Sequence, residues 1–192
     1  MTLRARDEGG FGLIELVIAM FMLNIGILAL VAAFNSGAIA LRRASHVSTA
    51  SSIADTQMEL YRALTYSQIG LDSTTVGTVD NTYKCDVALI PSSGTNACPN
   101  TVTTCSVAVT CADWTVTVRA SACATNECLP TRTVTASSSP DHYPYRIDSY
   151  IRYKTPTNGR QLKEITVVVR DGNNAAVTFA RQTSTFDPST SG

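Results

Sequence analysis

Three sets of residues in this sequence are of the types that do chemistry. Glu15 is a carboxylate inside an apolar run, and no Asp, Glu, Lys or Arg follows it before Arg42. Cys85, Cys98, Cys105, Cys111, Cys123 and Cys128 fall within 44 residues of one another. His46 and His142 are the two histidines, the second directly after Asp141.

Each set asks for a different partner. A carboxylate in a membrane segment costs about 2.5–3.5 kcal/mol on insertion scales, so Glu15 calls for a counter-cation. An even number of clustered cysteines is what an oxidising compartment would pair, at typically ~2–4 kcal/mol per bridge, and six allow fifteen pairings. A metal site or free thiols are the alternatives. The sequence has no Cys-x-x-Cys pair and both histidines lie outside the cluster, which weighs against metal.

Catalysis finds little support. Neither histidine adjoins a nucleophile motif, no glycine-rich phosphate loop follows a strand, and Asp141-His142 reads as a loop dipeptide. We expect no enzyme, no catalytic residue, no metal and no cofactor. Trp114 reads as a sheet residue, and Tyr143, Tyr145, Tyr150 and Tyr153 as a sticky patch or as partly packed strand residues.

The elements that position these groups follow from pattern. Of the 192 residues 44% are hydrophobic and 16% charged, enough for one domain plus one further element. Fifteen basic residues balance fifteen acidic ones, so no net field draws the chain to nucleic acid. Phe11 to Phe34 is a 24-residue apolar segment. As a helix it is about 36 Å long, enough for a ~30 Å hydrocarbon core. A secretory h-region is usually only about 7–15 residues, which counts against ordinary signal-peptide cleavage.

From 35 to 66 the apolar residues Ala40, Ala44, Val47, Ala50, Ala54, Met58, Tyr61 and Leu64 recur at steps of three and four, the stripe of an amphipathic helix. No Pro interrupts Phe11 to Tyr66, so one continuous helix is expected, with Asn24, Gly26 and Asn35-Ser36-Gly37 as places to bend. After Ser67 the period becomes two. Tyr83, Cys85, Val87 and Leu89 alternate, as do Trp114, Val116 and Val118, then Ile147, Ile151 and Tyr153, then Ile165, Val167 and Val169. These read as half-buried antiparallel strands. Arg170-Asp171-Gly172-Asn173-Asn174 reads as the turn of a hairpin leading to Val177 and Phe179, and Ser137-Ser138-Ser139-Pro140 as a surface loop. The expected fold class is α+β, with residues 1–10 a polar leader, 11–34 apolar helix, 35–66 its amphipathic continuation on an antiparallel sheet, and 67–192 a β-rich part.

The stretch Gly9-Gly10-Phe11-Gly12-Leu13-Ile14-Glu15-Leu16-Val17 resembles the cleavage and methylation motif of type IV prepilins: a short polar leader ending in Gly, an aromatic first mature residue, and Glu as the fifth mature residue of an apolar helix. The resemblance covers about 25 residues. It implies that a prepilin peptidase cuts the Gly10-Phe11 bond, that the freed Phe11 amine is methylated, and that Glu15 compensates the corresponding amine of a neighbouring subunit. It also implies a pilin-like fold, a single pass through the cytoplasmic membrane with the β-rich part outside the cytoplasm, and a later place in a cell-surface pilus. Major and other minor pilins and a membrane assembly platform would be the partners.

Two positions depart from the family pattern. Gly12 stands where Ser or Thr is more usual, and Ala32 where many major pilins have Pro. The second departure, with the run Ser52 to Leu64 containing Gln57-Met58-Glu59, is most similar to PilV-type minor pilins; that run also reads as a plain surface helix with Glu59 and Arg62 paired. A pseudopilin of a type II secretion system, or an uncleaved single-span surface binding protein, is the alternative. Arg4 and Arg6 on one side of the span and Arg42 and Arg43 on the other leave its orientation undecided by basic residues.

Overall fold

A single α-helix, α1 (Leu13–Arg62), runs unbroken through Asn24, Gly26 and the Asn35-Ser36-Gly37 trio. The computed structural model describes residues 12–84, 86, 117–119, 126–154, 156 and 159–189. The chain forms two units, one up to Ala44 and one from Ser45. In the first, the α1 residues are exposed throughout. Among the described residues this is the one helix long and apolar enough to cross a membrane.

In the second unit the buried stripe of α1 is Ala50, Ala54, Gln57, Met58 and Tyr61, spaced by three and four. It begins later than its sequence pattern suggests, because Ala40 and Ala44 are exposed and Val47 is largely so. Helix α1 also ends earlier than Tyr66. Beyond Arg62 the hydrogen bonding tightens, with Leu64 N donating to Tyr61 O at 3.2 Å, and Thr65 opens a separate 3-10 turn, Tyr66–Gln68.

Short elements follow: β1 (Leu71–Asp72), α2 (Ser73–Gly77) and α3 (Asn81–Lys84). Asp72 caps α2, its carboxylate accepting from Thr75 N at 3.0 Å. Strand β2 (Thr117–Arg119) pairs with β1 in parallel. Strands β3 (Thr131–Val134), β4 (Tyr145–Lys154), β5 (Leu162–Asp171) and β6 (Thr178–Phe186) form an antiparallel sheet in that order. The fold is therefore α+β.

The expected strand beginning at Tyr83 is corrected. Tyr83 and Lys84 belong to helix α3, while Cys85, Val87 and Leu89 lie outside the described residues, as do Trp114 and Val116. Aspartate explains the helix locally, since Asp80 Oδ1 accepts from Tyr83 N at 3.0 Å and caps the turn that alternation alone reads as strand.

Strands β4 and β5 are also not half-buried. On its inner face Tyr145, Ile147, Ile151, Ile165, Val167 and Val169 pack with the α1 stripe. On the outer face Tyr150 and Val168 form a second core with Val79 and Tyr83. The Tyr83 and Tyr150 rings stack at 4.3 Å, and Tyr83 Oη donates to Ser149 O at 2.6 Å. Both sides of β4 and β5 are thus covered, which removes the clean inside-outside alternation of a one-sided sheet. The β5–β6 hairpin forms as the turn residues indicate. Asp171 Oδ1 accepts from Asn173 N at 2.8 Å, and Gly172 sits so close to Pro144 that an added Cβ would lie 2.8 Å from its carbonyl carbon and oxygen.

Candidate functional site

The sequence-derived site divides at the edge of the described residues. Gly10 and Phe11, the expected cleavage and methylation positions, lie outside them, while Glu15 lies within, in the first turn of α1. Glu15 N donates to Gly12 O at 2.9 Å, closing that turn. A carboxylate there interacts favourably with the positive end of the helix dipole, worth about 0.3–1 kcal/mol. That is less than the cost of a carboxylate deep in a bilayer. No basic residue lies between Arg6 and Arg42, so the α1 residues from Leu13 to Leu41 hold no counter-charge for it.

Around Glu15 the apolar side chains are exposed, with no packing partner among the described residues. Leu13 is 82% exposed, Phe34 77% and Leu41 74%, with exposed Leu, Ile, Val, Met and Phe between them. An apolar surface of this length on a monomer marks contact with a membrane or another protein. Polar side chains are sparse on it. Besides Glu15 there are Asn24, Asn35 and Ser36, and Asn24 Nδ2 donates to Met20 O at 2.9 Å.

In the second unit the structure joins groups far apart in sequence. His46 Nδ1 lies 2.8 Å from Asp141 Oδ2, and Tyr145 Oη donates to the same carboxylate oxygen. Burial pushes the Asp141 carboxyl up, and the bonds from Tyr145 and His46 outweigh it, holding it below the usual carboxylate range. The His46 ring packs 4.2 Å from Tyr143 and 5.8 Å from Phe179. His142, beside Asp141, is exposed, with a left-handed φ of 53°. Asp141-His142 is thus a loop dipeptide in which the aspartate turns inward to fasten α1 to the sheet. No local pattern signals a partner 95 positions away.

A second constellation occupies the outer sheet face. Arg170 Nε donates to Asp148 Oδ2 at 2.8 Å and its Nη2 to Asp86, which also accepts from Arg181 Nη2 at 2.8 Å. Arg146 Nε donates to Asp148 Oδ1 at 2.8 Å while its two terminal nitrogens donate to the two carboxylate oxygens of Asp80. Arg146 holds the Asp80 carboxyl down at about 2, and burial pushes Asp148 up despite its two guanidinium partners. These pairs tie the segment carrying Asp80, Tyr83 and Asp86 to β4, β5 and β6.

The remaining expected groups disperse. Tyr145 and Tyr150 are buried, Tyr143 is half-buried and Tyr153 is 37% exposed, so the four do not make one exposed patch. Glu59 and Arg62 form the exposed i,i+3 pair, whereas Gln57 is buried and donates to Asn126 O at 3.1 Å while accepting from Arg132 Nη2 at 3.1 Å. Cys128 is buried and carries no free thiol. Cys85, Cys98, Cys105, Cys111 and Cys123 lie outside the described residues, among which no group of three or more His, Cys, Asp or Glu is placed to hold a metal. In comparisons with known proteins, no family model, no curated protein and no solved structure matches this chain.

Proposed function

We propose that the chain is a minor type IV pilin precursor, a structural subunit inserted in the cytoplasmic membrane, trimmed by a prepilin peptidase at Gly10-Phe11, and assembled into a cell-surface filament through its N-terminal helix. The observation that carries this reading is the exposed face of α1 from Leu13 to Leu41, which has a single carboxylate, Glu15, in its first turn and no counter-charge. A surface of that kind has two apolar environments open to it, lipid and other helices. Lipid covers the aliphatic side chains but leaves Glu15 uncompensated. A neighbouring subunit's helix covers both, because the amine freed at Phe11 supplies the missing cation.

In this reading the β-rich part from residue 67 stays outside the cytoplasm, and its six cysteines pair there. The protein is a building block, with other pilins and the membrane assembly platform as partners.

Expression of Glu15→Val beside pilus machinery tests the reading. The variant should insert in the membrane and lose residues 1–10, as intact mass would register together with one added methyl group, yet be depleted from sheared filaments. A native chain that keeps its leader, or a Glu15→Val variant that enters filaments as wild type does, would count decisively against it.

A further inference from the structure

Five arginines lie on the strands of the four-stranded sheet, and four of them hold a carboxylate. Arg146 pairs with Asp80 and Asp148, Arg152 with Glu164, Arg170 with Asp86 and Asp148, and Arg181 with Asp86. Arg132 on β3 is the exception. Among the described residues its one hydrogen bond runs from Nη2 to the neutral Gln57 Oε1, at 3.1 Å. Its Nε is buried and has no partner among them. Burial pulls the guanidinium below its usual range, and the Tyr61 phenol is the one described group that opposes this.

The surroundings offer donors where the cation needs acceptors. Gln57 and Tyr61 stand one turn apart on the buried stripe of α1. Tyr61 is fully buried, and the side chains of Ser149 and Gln57 approach its Oη without completing a hydrogen bond. Burial pushes that phenol up, so it stays protonated and remains a donor. Glu127 acts on Tyr61 through its charge but forms no pair with Arg132. A desolvated cation without a counter-charge is costly, and an arginine cannot escape the cost by losing its proton. The fold therefore gains little from this charge on its own account.

The position of Arg132 leaves the charge within reach. Strand β3 ends the sheet, pairing with β4 alone, and Arg132 is half-buried rather than enclosed. A single positive charge on a planar fork of donors is matched by a monoanion with two acceptor oxygens in a plane, which is a carboxylate; a phosphate dianion would leave one negative charge over. We infer that Arg132 is a recognition residue whose guanidinium receives a carboxylate brought to the β3 edge by another molecule, either a small organic acid or an acidic side chain of a polypeptide. This site is separate from the apolar helix and does not depend on the filament reading.

The test is urea unfolding of the full-length chain in dodecylmaltoside micelles at neutral pH and constant ionic strength, followed by near-ultraviolet circular dichroism. One arm replaces chloride by acetate. The other adds a blocked Gly-Glu-Gly peptide, with blocked Gly-Gln-Gly as its control. At ten times Kd the midpoint should stand about 0.5–1.4 M urea higher. A rise with acetate and with the Glu peptide alike assigns the site to small organic acids; a rise with the Glu peptide alone assigns it to a polypeptide. Arg132→Gln, which is neutral but keeps an amide N–H for Gln57, should lose the response. In chloride the same variant should unfold within about 1 M of wild type, whereas breaking an internal ion pair would lower the midpoint by about 1 M or more. That larger drop, no response in either arm, or a response undiminished in Arg132→Gln would each overturn the inference.

Discussion

Replacing Arg170 with Met removes the hub of the outer-face charge network while keeping a side chain of comparable length. Arg170 is 6% exposed, and the carboxylates it serves, Asp86 and Asp148, are 4% and 0% exposed. Its Nη1 also donates to Ala175 O and Thr178 Oγ1, each at 3.2 Å. Breaking a buried pair from one side costs about 3–5 kcal/mol, because the remaining charge stays buried without compensation. Here each carboxylate keeps one guanidinium, Asp86 that of Arg181 and Asp148 that of Arg146, so the low end of about 3 kcal/mol is expected.

With a urea slope of about 1–3 kcal/mol per molar, the unfolding midpoint should fall by about 1–3 M. Near-ultraviolet circular dichroism of the tyrosines is a suitable probe, since the Tyr83–Tyr150 stack lies on the same sheet face. The control is Arg160→Met. Arg160 is 67% exposed and 3.8 Å from Asp187, so its loss should cost about 0–1 kcal/mol. If Arg170→Met shifts the midpoint no more than Arg160→Met does, the network is not desolvated in the sense argued, and the account of how the Asp80–Asp86 segment is held fails.

Three further outcomes are expected. Asp80, held at about 2 by Arg146 and so below its unfolded value, stabilises the fold above about pH 3.9 and ceases to do so as pH falls toward 2; Asp80→Asn should flatten the urea midpoint between pH 4 and pH 2, and an unchanged slope would refute that assignment. Non-reducing peptide mapping of native protein should recover no alkylatable thiol among the six cysteines, while several free thiols would reject pairing and reopen a metal site. Gly172→Ala places a Cβ against the Pro144 backbone and should cost about 1–3 kcal/mol by urea unfolding, unless that approach relaxes freely and the midpoint stays put.

The features legible in the sequence are those whose cause is local. An apolar run of this length with no Pro reads as helix from its own residues, and α1 passes without a break through Gly26 and Gly37. Asp171 starts the turn with its own side chain, which accepts from Asn173 N and Asn174 N, Gly172 leaves room for the Pro144 backbone, and the β5–β6 hairpin forms around them. Glu15 stands out because one charge in a neutral stretch is visible in one dimension.

Other features depend on what the chain meets after it turns back on itself. The three- and four-residue stripe reads alike at Ala40 and at Ala50, yet Ala50 is buried and Ala40 exposed, since burial needs a sheet opposite it and periodicity only permits one. Tyr83 lies in an alternating pattern but is helical, because Asp80 caps a turn there and the ring finds Tyr150 across the outer sheet face. Arg170 reaches Asp148 across 22 positions and Asp86 across 84, and His46 reaches Asp141 across 95. A charge's partner is fixed by the packing that removes water from both groups, so these pairs came into being with the tertiary structure, while the helix that carries Glu15 was already written in the order of its residues.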